Sequence, residues 1–182
     1  TVSEPIIVNV IDGPVSITGA FTIASKLNTT NYLQVNSTDN RTRVLVESCD
    51  AGTVWDINDI GNGFHKISNE LADKAMESYN PIHGNDVTIY TSNNKDWQQW
   101  EIIDAGNGFY KIKGKFNPLY LTDVNGEANM AVADGSDSQL WVLEDVASSE
   151  CTGTAPANAR SVSDLELSDD GREEFTNGIT IY

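Results

Sequence analysis

Between residues 15 and 146 apolar and polar positions alternate in short bursts, and no stretch holds a helical period. Val15-Ser-Ile-Thr-Gly-Ala-Phe-Thr-Ile23, Tyr32-Leu-Gln-Val35 and Arg43-Val-Leu-Val-Glu47 each put every second side chain on one face. Successive side chains of a strand point to opposite faces, so this period of two marks strands half-buried against a core. Turn-rich stretches such as Asn28-Thr-Thr-Asn31 and Asn36-Ser-Thr-Asp-Asn40 separate the bursts. Upstream, Ile6-Ile-Val-Asn-Val-Ile11 reads as one further strand that ends in the turn Asp12-Gly-Pro14.

The bursts recur. Thr53-Val54-Trp55-Asp56-Ile57, Asp96-Trp97-Gln98-Gln99-Trp100-Glu101-Ile102 and Gln139-Leu140-Trp141-Val142-Leu143 set a tryptophan about every 40–45 residues. After the first two come Gly61-Asn62-Gly63-Phe64-His65-Lys66-Ile67 and Gly106-Asn107-Gly108-Phe109-Tyr110-Lys111-Ile112. Three repeats follow, about 15–59, 60–104 and 105–146, each with four short strands, about twelve in all. Closing them on one another removes sheet edges that would otherwise invite aggregation. Within the shared Gly-Asn-Gly-Phe-x-Lys-Ile segment the glycines suit a tight turn, and Phe and Ile are expected to point to the core. His65 takes the place of Tyr110 and is expected to face outward.

On these motifs the chain resembles the ricin-B-type β-trefoil lectins and carbohydrate-binding modules, whose three repeats each end in Gln-x-Trp. Gln98-Gln99-Trp100 and Gln139-Leu140-Trp141 match that motif, while Thr53-Val54-Trp55 keeps only the tryptophan. The resemblance covers residues 15–146 and implies an all-β, β-trefoil domain over 15–147. It leaves a lead-in strand over 1–14 and a linker with an acidic tail over 148–182.

In the resembled family a sugar site takes an acid after the second strand, an aromatic about ten residues before the tryptophan, and an amide before the Gln. The chemistry is stacking of a ring on the apolar face of a pyranose, with hydrogen bonds to its hydroxyls. Such shallow sites are individually weak, and repetition adds strength by multivalency. In repeat two the resemblance assigns Glu77 to the acid and Tyr90 to the aromatic; Trp97, before Gln98, is expected to add a second stacking ring, with hydrogen bonds to the sugar from Glu77, Gln98 and an Asn93 or Asn94 amide, and His83 flanks the pocket. In repeat three Asp123 serves only if the loop shifts by one residue, and Gln139 is the other candidate binding residue. Ala131 holds the aromatic position there, with Asp134, Asp137 and Ser138 near it. Repeat one offers Leu33-Gln34-Val35, has Leu45 at the aromatic position and lacks the Gln, so it reads as structural. Each residue also has a packing alternative: Tyr90 as a cross-strand aromatic, Glu77 as a solvated acid, Trp97 as a cover over the barrel mouth. If Trp100 fills the core, Trp97 is expected to face out.

Composition narrows the partners. The 182 residues carry a net charge of −16, which argues against nucleic acid, since phosphate is neutralised by clustered Lys and Arg. Polyanionic ligands are disfavoured for the same reason, a local basic pocket excepted. No apolar run approaches the roughly 20 residues of a membrane helix, and no signal-peptide pattern opens the sequence. Starting at Thr1, it is expected to be a mature form or an excised piece. Cys49 and Cys151 lack metal-ligand spacing; they either pair, as an oxidising compartment allows, or are two unrelated thiols. Asn28-Thr-Thr, Asn36-Ser-Thr and Asn40-Arg-Thr fit the glycosylation pattern, as short Asn/Thr-rich loops often do by chance.

Residues 150–159 have linker composition, and six acids against one Arg between Asp164 and Glu174 read as a solvated, weakly ordered run. Asn177-Gly-Ile-Thr-Ile-Tyr182 resembles the opening of the sorting domain used by the type IX secretion system of Bacteroidetes, without the Pro-Asn-Pro that usually follows. It is also simply a good strand.

Nothing in the sequence assembles catalysis. There are two histidines and no nucleophile elbow, zinc-protease motif or phosphate loop. Asp134-Gly-Ser-Asp137 and Asp169-Asp170-Gly171 lack calcium-loop spacing and read as turns. The expectation is a non-catalytic carbohydrate-binding module without cofactor or metal. It would act as a monomer within a larger secreted or cell-surface chain, binding an oligo- or polysaccharide. The alternatives are a protein-interaction or inhibitor trefoil, or a spacer whose sites have decayed.

Overall fold

The computed structural model describes residues 13–79, 85–149 and 151, with the backbone of three short tail segments, 165–167, 173–175 and 180–181. Strands β1 (Gly19–Ser25), β2 (Asn28–Gln34), β3 (Leu45–Ser48) and β4 (Val54–Gly61) make up the first repeat. The second holds β5 (Phe64–Asn69), β6 (Lys74–Glu77), β7 (Asn85–Asp86), β8 (Thr88–Tyr90) and β9 (Trp100–Gly106). The third holds β10 (Phe109–Gly114), β11 (Tyr120–Val124), β12 (Glu127–Ala131) and β13 (Trp141–Asp145). All thirteen belong to one antiparallel sheet, of which β7 is a two-residue extra against β12.

Six strands close a ring in the order β1, β4, β5, β9, β10, β13 and back to β1. Three hairpins, β2–β3, β6–β8 and β11–β12, cap one end. This is a β-trefoil. Its pseudo-threefold axis is written in the backbone: Val44 N–H donates to Val87 O (2.9 Å), Val87 N–H to Ala128 O (3.0 Å) and Ala128 N–H to Val44 O (3.0 Å).

The core takes equivalent residues from each of the three repeats. Ile23, Ile67 and Ile112 are equivalent positions, as are Leu33, Met76 and Leu121, and all six belong to the one core cluster. Trp55, Trp100 and Trp141 are fully buried. Each indole N–H reaches across its repeat to a main-chain carbonyl: Trp55 to Leu33 (2.8 Å), Trp100 to Met76 (3.1 Å), Trp141 to Leu121 (3.1 Å). A buried indole needs such a partner, and here the bond ties a barrel strand to the cap hairpin.

The Gly-Asn-Gly turns join β4 to β5 and β9 to β10. Gly61, Asn62 and Gly63 have φ of 85°, 56° and 80°, and Gly106, Asn107 and Gly108 repeat this at 80°, 56° and 80°. That left-handed backbone suits glycine, and asparagine tolerates it. Asp59 and Asp104 accept from the N–H of Gly61 and Gly106, each at 2.7 Å.

Two expectations are corrected after this turn. Phe64 and Phe109 lie on the outer face, under the ammonium groups of Lys115 (4.9 Å) and Lys26 (4.6 Å). His65 is fully buried, its Nε2 accepting from Ile17 N–H at 3.1 Å. The reason is the strand period: the residue two before Ile67 shares its face, and the residue three before does not. Phe21, His65 and Tyr110 are equivalent, each paired across the ring with a core tryptophan (Trp55, Trp100 and Trp141). Burial pushes the His65 imidazole below its ordinary pKa, which keeps it neutral and able to accept.

The lead-in strand expected over 6–11 lies outside the described residues; Gly13 and Val15 run along β9, bonded to Asp104 and Ile102. In the tail, 165–167, 173–175 and 180–181 pair as a small antiparallel sheet, so the acidic run expected to be weakly ordered is partly strand. The linker residues 152–159 are outside the described residues, as is most of the segment resembling a sorting-domain start.

Cys49 and Cys151 form a disulfide across a sequence separation of 102 residues. Cys151 is buried against Ala24 and Tyr32, and Ser149 Oγ bonds Thr22 Oγ1 at 2.8 Å, so the end of the domain is fixed to repeat one. A cross-link closing so long a loop restricts the unfolded chain strongly. Replacing both cysteines by serine is expected to lower unfolding free energy by about 2–4 kcal/mol in denaturant titration. An unchanged midpoint would show that the bond carries no stability.

Candidate functional site

Each Gln-x-Trp glutamine is a buried clamp. Gln98 Nε2 donates to Glu77 Oε2 (3.3 Å) and Thr91 O (3.2 Å), and its Oε1 accepts from Asn93 N–H (2.7 Å). Gln139 does the same in repeat three: Nε2 to Thr122 Oγ1 (3.2 Å) and Val132 O (2.8 Å), Oε1 from Asp134 N–H (3.2 Å). These amides fold the loop ahead of the 3-10 turns at 96–98 and 137–139 back on the second strand of the repeat. Gln98 is fully buried and Gln139 nearly so, and their bonds are made within the protein. Both were expected among the sugar-binding residues; with their amides spent inside the protein, they act on a pocket only through the residues they hold.

The shared clamp also aligns the repeats. Glu77 corresponds to Thr122 and to Gln34, whose Nε2 donates to Glu47 Oε2 at 3.0 Å. Asp123 therefore falls one position beyond the acid place. It is bound to Ser25 Oγ (2.7 Å) and to Gly126 N–H (3.1 Å), as a turn-capping carboxylate. Strand register gives the aromatic place as well, because Ala75 pairs with Tyr90, Tyr120 with Ala131 and Tyr32 with Glu47. Repeat one thus carries Glu47 there, where a count of ten from Trp55 gave Leu45. The first repeat's loop is two residues shorter, and the disulfide and Cys151 cover it.

Repeat two is built differently. A pocket of about 200 Å³ is lined by Arg41, Glu77, Tyr79, Tyr90, Asn93 and Trp97. Glu77 sits at the end of β6 and is almost wholly buried. Burial pushes its carboxyl above the ordinary glutamate value; the Gln98 bond, the Arg41 charge and the Thr88 hydroxyl pull the other way. Tyr90 ends β8, with the Arg41 guanidinium 5.4 Å from its ring centre. Trp97 stands in the 3-10 turn, partly exposed, and meets Tyr79 edge-to-face with centroids 5.0 Å apart. The turn, more than strand alternation, directs Trp97 outward while Trp100 fills the core.

Of the residues expected here, Glu77, Tyr90, Asn93 and Trp97 come together. Asn94 is turned away: its Oδ1 lies 3.5 Å from Lys66 Nζ and its carbonyl accepts from Gln99. His83 lies outside the described residues. Arg41 and Tyr79 were not foreseen. Arg41 arrives from repeat one, whose loop is stitched to β8 by Arg41 N–H to Ile89 O (2.7 Å), Ile89 N–H to Thr42 O (2.9 Å) and Thr91 N–H to Asn40 Oδ1 (2.9 Å). Contacts between repeats leave no local signal, although Arg41 has a φ of 68°, rare for a residue with a side chain. Among the described residues its guanidinium makes no hydrogen bond or ion pair, so its N–H donors are free to face a ligand.

In repeat three Asp134, Asp137 and Ser138 surround no ring; Asp134 accepts from Ser136 N–H (2.9 Å) and Asp137 pairs with Lys26 (2.8 Å). Among the described residues no group of three or more His, Cys, Asp and Glu is arranged to hold a metal ion.

No protein-family model matches the chain, and no curated protein does. Solved structures do. A designed three-fold symmetric protein, ThreeFoil, is 27% identical with a TM-score of 0.65, over 69% of this chain and 98% of its own. The exo-β-1,3-galactanase 1,3Gal43A from Clostridium thermocellum is 23% identical with a TM-score of 0.65, over 71% of this chain and 30% of the enzyme. The Polyporus squamosus lectin, bound to Neu5Acα2-6Galβ1-4GlcNAc, is 22% identical with a TM-score of 0.63, over 72% of this chain and 50% of the lectin. The match thus spans well under two thirds of the galactanase and of the lectin. The β-trefoil fold is what these likenesses share with this chain.

The raised pKa of Glu77 fixes the sign of a stability test. The folded protein holds that proton more tightly than the unfolded chain, so stability falls as pH rises through the glutamate range and stays reduced above it. Glu77→Gln cannot ionise. Measured by thermal unfolding over a pH series, its stability relative to the parent is expected to be greater at neutral pH than in acid. A difference that does not change with pH would refute the assignment.

Proposed function

We propose that this chain is a non-catalytic carbohydrate-binding module whose working site is the repeat-two pocket. The observation that carries the reading is the composition of that pocket: Tyr79, Tyr90 and Trp97 supply rings, and Glu77, Asn93 and Arg41 supply hydrogen-bonding groups beside them. A pyranose has the matching duality, with C–H groups on its faces and hydroxyls around its rim. Tyr90, braced by Arg41, stacks on the ring. Glu77 accepts from vicinal hydroxyls, held in place by Gln98 from behind. Asn93 and the Arg41 guanidinium donate to hydroxyl or ring oxygens.

Repeat one is closed by the disulfide and repeat three lacks a ring, so neither binds. The sugar-binding and galactan-cleaving neighbours support the class of ligand without fixing which sugar. In this reading the parent protein is secreted or displayed on the cell surface, as the disulfide suggests, and the module holds a polysaccharide-acting partner domain on its glycan. The resemblance of residues 177–182 to a sorting-domain start points to the same compartment. The module acts as a monomer within that chain, and no helix among the described residues is long and apolar enough to cross a membrane.

Affinity electrophoresis in gels cast with galactan, xylan or glucan tests the assignment. The parent is expected to be retarded by at least one of them. Tyr90→Ala and Glu77→Gln should each weaken retardation about tenfold or more, the loss of roughly 1.4 kcal/mol, with the melting temperature of Tyr90→Ala little changed. Retardation by none of the three would overturn the reading, as would variants retarded like the parent.

A further inference from the structure

Beyond the pocket the aromatic surface continues. Phe116 does not line the cavity; it meets the indole of Trp97 edge-to-face, with centroids 5.7 Å apart, and is 44% exposed. Tyr79, on the same indole, is 55% exposed. Two solvent-facing rings packed on either side of one indole are a costly surface unless something covers them. The turn is also held firmly. Lys115 N–H donates to Gln99 O (3.0 Å), and Lys115 Nζ reaches Asp96 (2.9 Å) and Gln99 Oε1 (2.8 Å). On the other side Asn117, buried, donates from Nδ2 to Ser78 Oγ at 3.2 Å. Gly114 N–H donates to Leu119 O (3.0 Å), closing the turn, and a Cβ at Gly114 would come within 2.8 Å of Asn117 Oδ1. An exposed phenylalanine on a turn pinned at both shoulders is a prepared platform, since little side-chain and loop freedom remains to be lost on binding.

We infer that Phe116 forms a second stacking position next to the repeat-two pocket, so that the site takes two or more consecutive sugar units of a polymer and not a terminal unit alone. This rests on the carbohydrate reading of the pocket. A saccharide chain is the occupant that the surface fits, because the rings run without a break from the Glu77 pocket across Trp97 to Phe116. The polar groups beside the outer ring, Lys115 and Gln99, are already bonded to the protein, so the outer position relies on stacking where the inner one combines stacking with hydrogen bonds. The turn belongs to repeat three and Arg41 to repeat one; the extended site therefore draws on all three repeats.

The test is binding of galactan, xylan and glucan oligosaccharide ladders of one to six units, by calorimetry, to the parent, Phe116→Ala and Phe116→Tyr. For the ladder that binds, parent affinity is expected to rise with length before levelling. Phe116→Ala should lose about two- to tenfold on the longer members and leave the shortest bound member unchanged, with Phe116→Tyr close to the parent. Equal loss at every length, or none at any, overturns the outer position while leaving the pocket reading intact. Failure of the parent to bind any ladder overturns both.

Discussion

Each tryptophan of the repeat does two jobs with one side chain. Its rings fill the barrel, and its N–H holds the first strand of the cap hairpin by a main-chain carbonyl. The bond matters because a buried indole N–H without a partner costs free energy that packing alone would have to offset. It also fixes register. A one-residue slip of β2, β6 or β11 would present the wrong carbonyl and turn Leu33, Met76 or Leu121 away from the core. The residue after each of those three, Gln34, Glu77 or Thr122, is thereby set on the side where a pocket can form.

From that common frame the repeats have diverged. The glutamine clamp survives in two of them, joining the loop before each 3-10 turn to the second strand. What it grips differs: a carboxylate in repeat two and a hydroxyl in repeat three. In repeat one the clamp is gone, and Cys151 lies over the same ground, its sulfur 3.2 Å from Thr53 Oγ1. One scaffold thus supports a prepared pocket, an empty loop and a covalent seal.

The architecture was legible because it depends on features that repeat: alternation, the Trp spacing, and turns whose Gly-Asn-Gly needs a left-handed backbone. The site was legible only where it depends on the local strand. Glu77, Tyr90 and Trp97 follow from position within one repeat. Asp123 did not, because the register places Thr122 beside the clamp. Arg41 and Phe116 had no signal, since each enters from another repeat, and Tyr79 stands just past the end of β6 with no motif to mark it. His65 shows the opposite error: its match to Tyr110 was read as an outward position, whereas the barrel takes it in as a neutral ring equivalent to Phe21 and Tyr110.

The ring of hydrogen bonds joining Val44, Val87 and Ala128 has a bearing on how such a protein changes over time. Main-chain groups make all three links, so the links do not read side-chain identity. Mutations in one cap can accumulate without asking the other two to change with it, provided the backbone path holds. A lineage can silence one repeat, strip a second and elaborate a third while the axis between them stays intact.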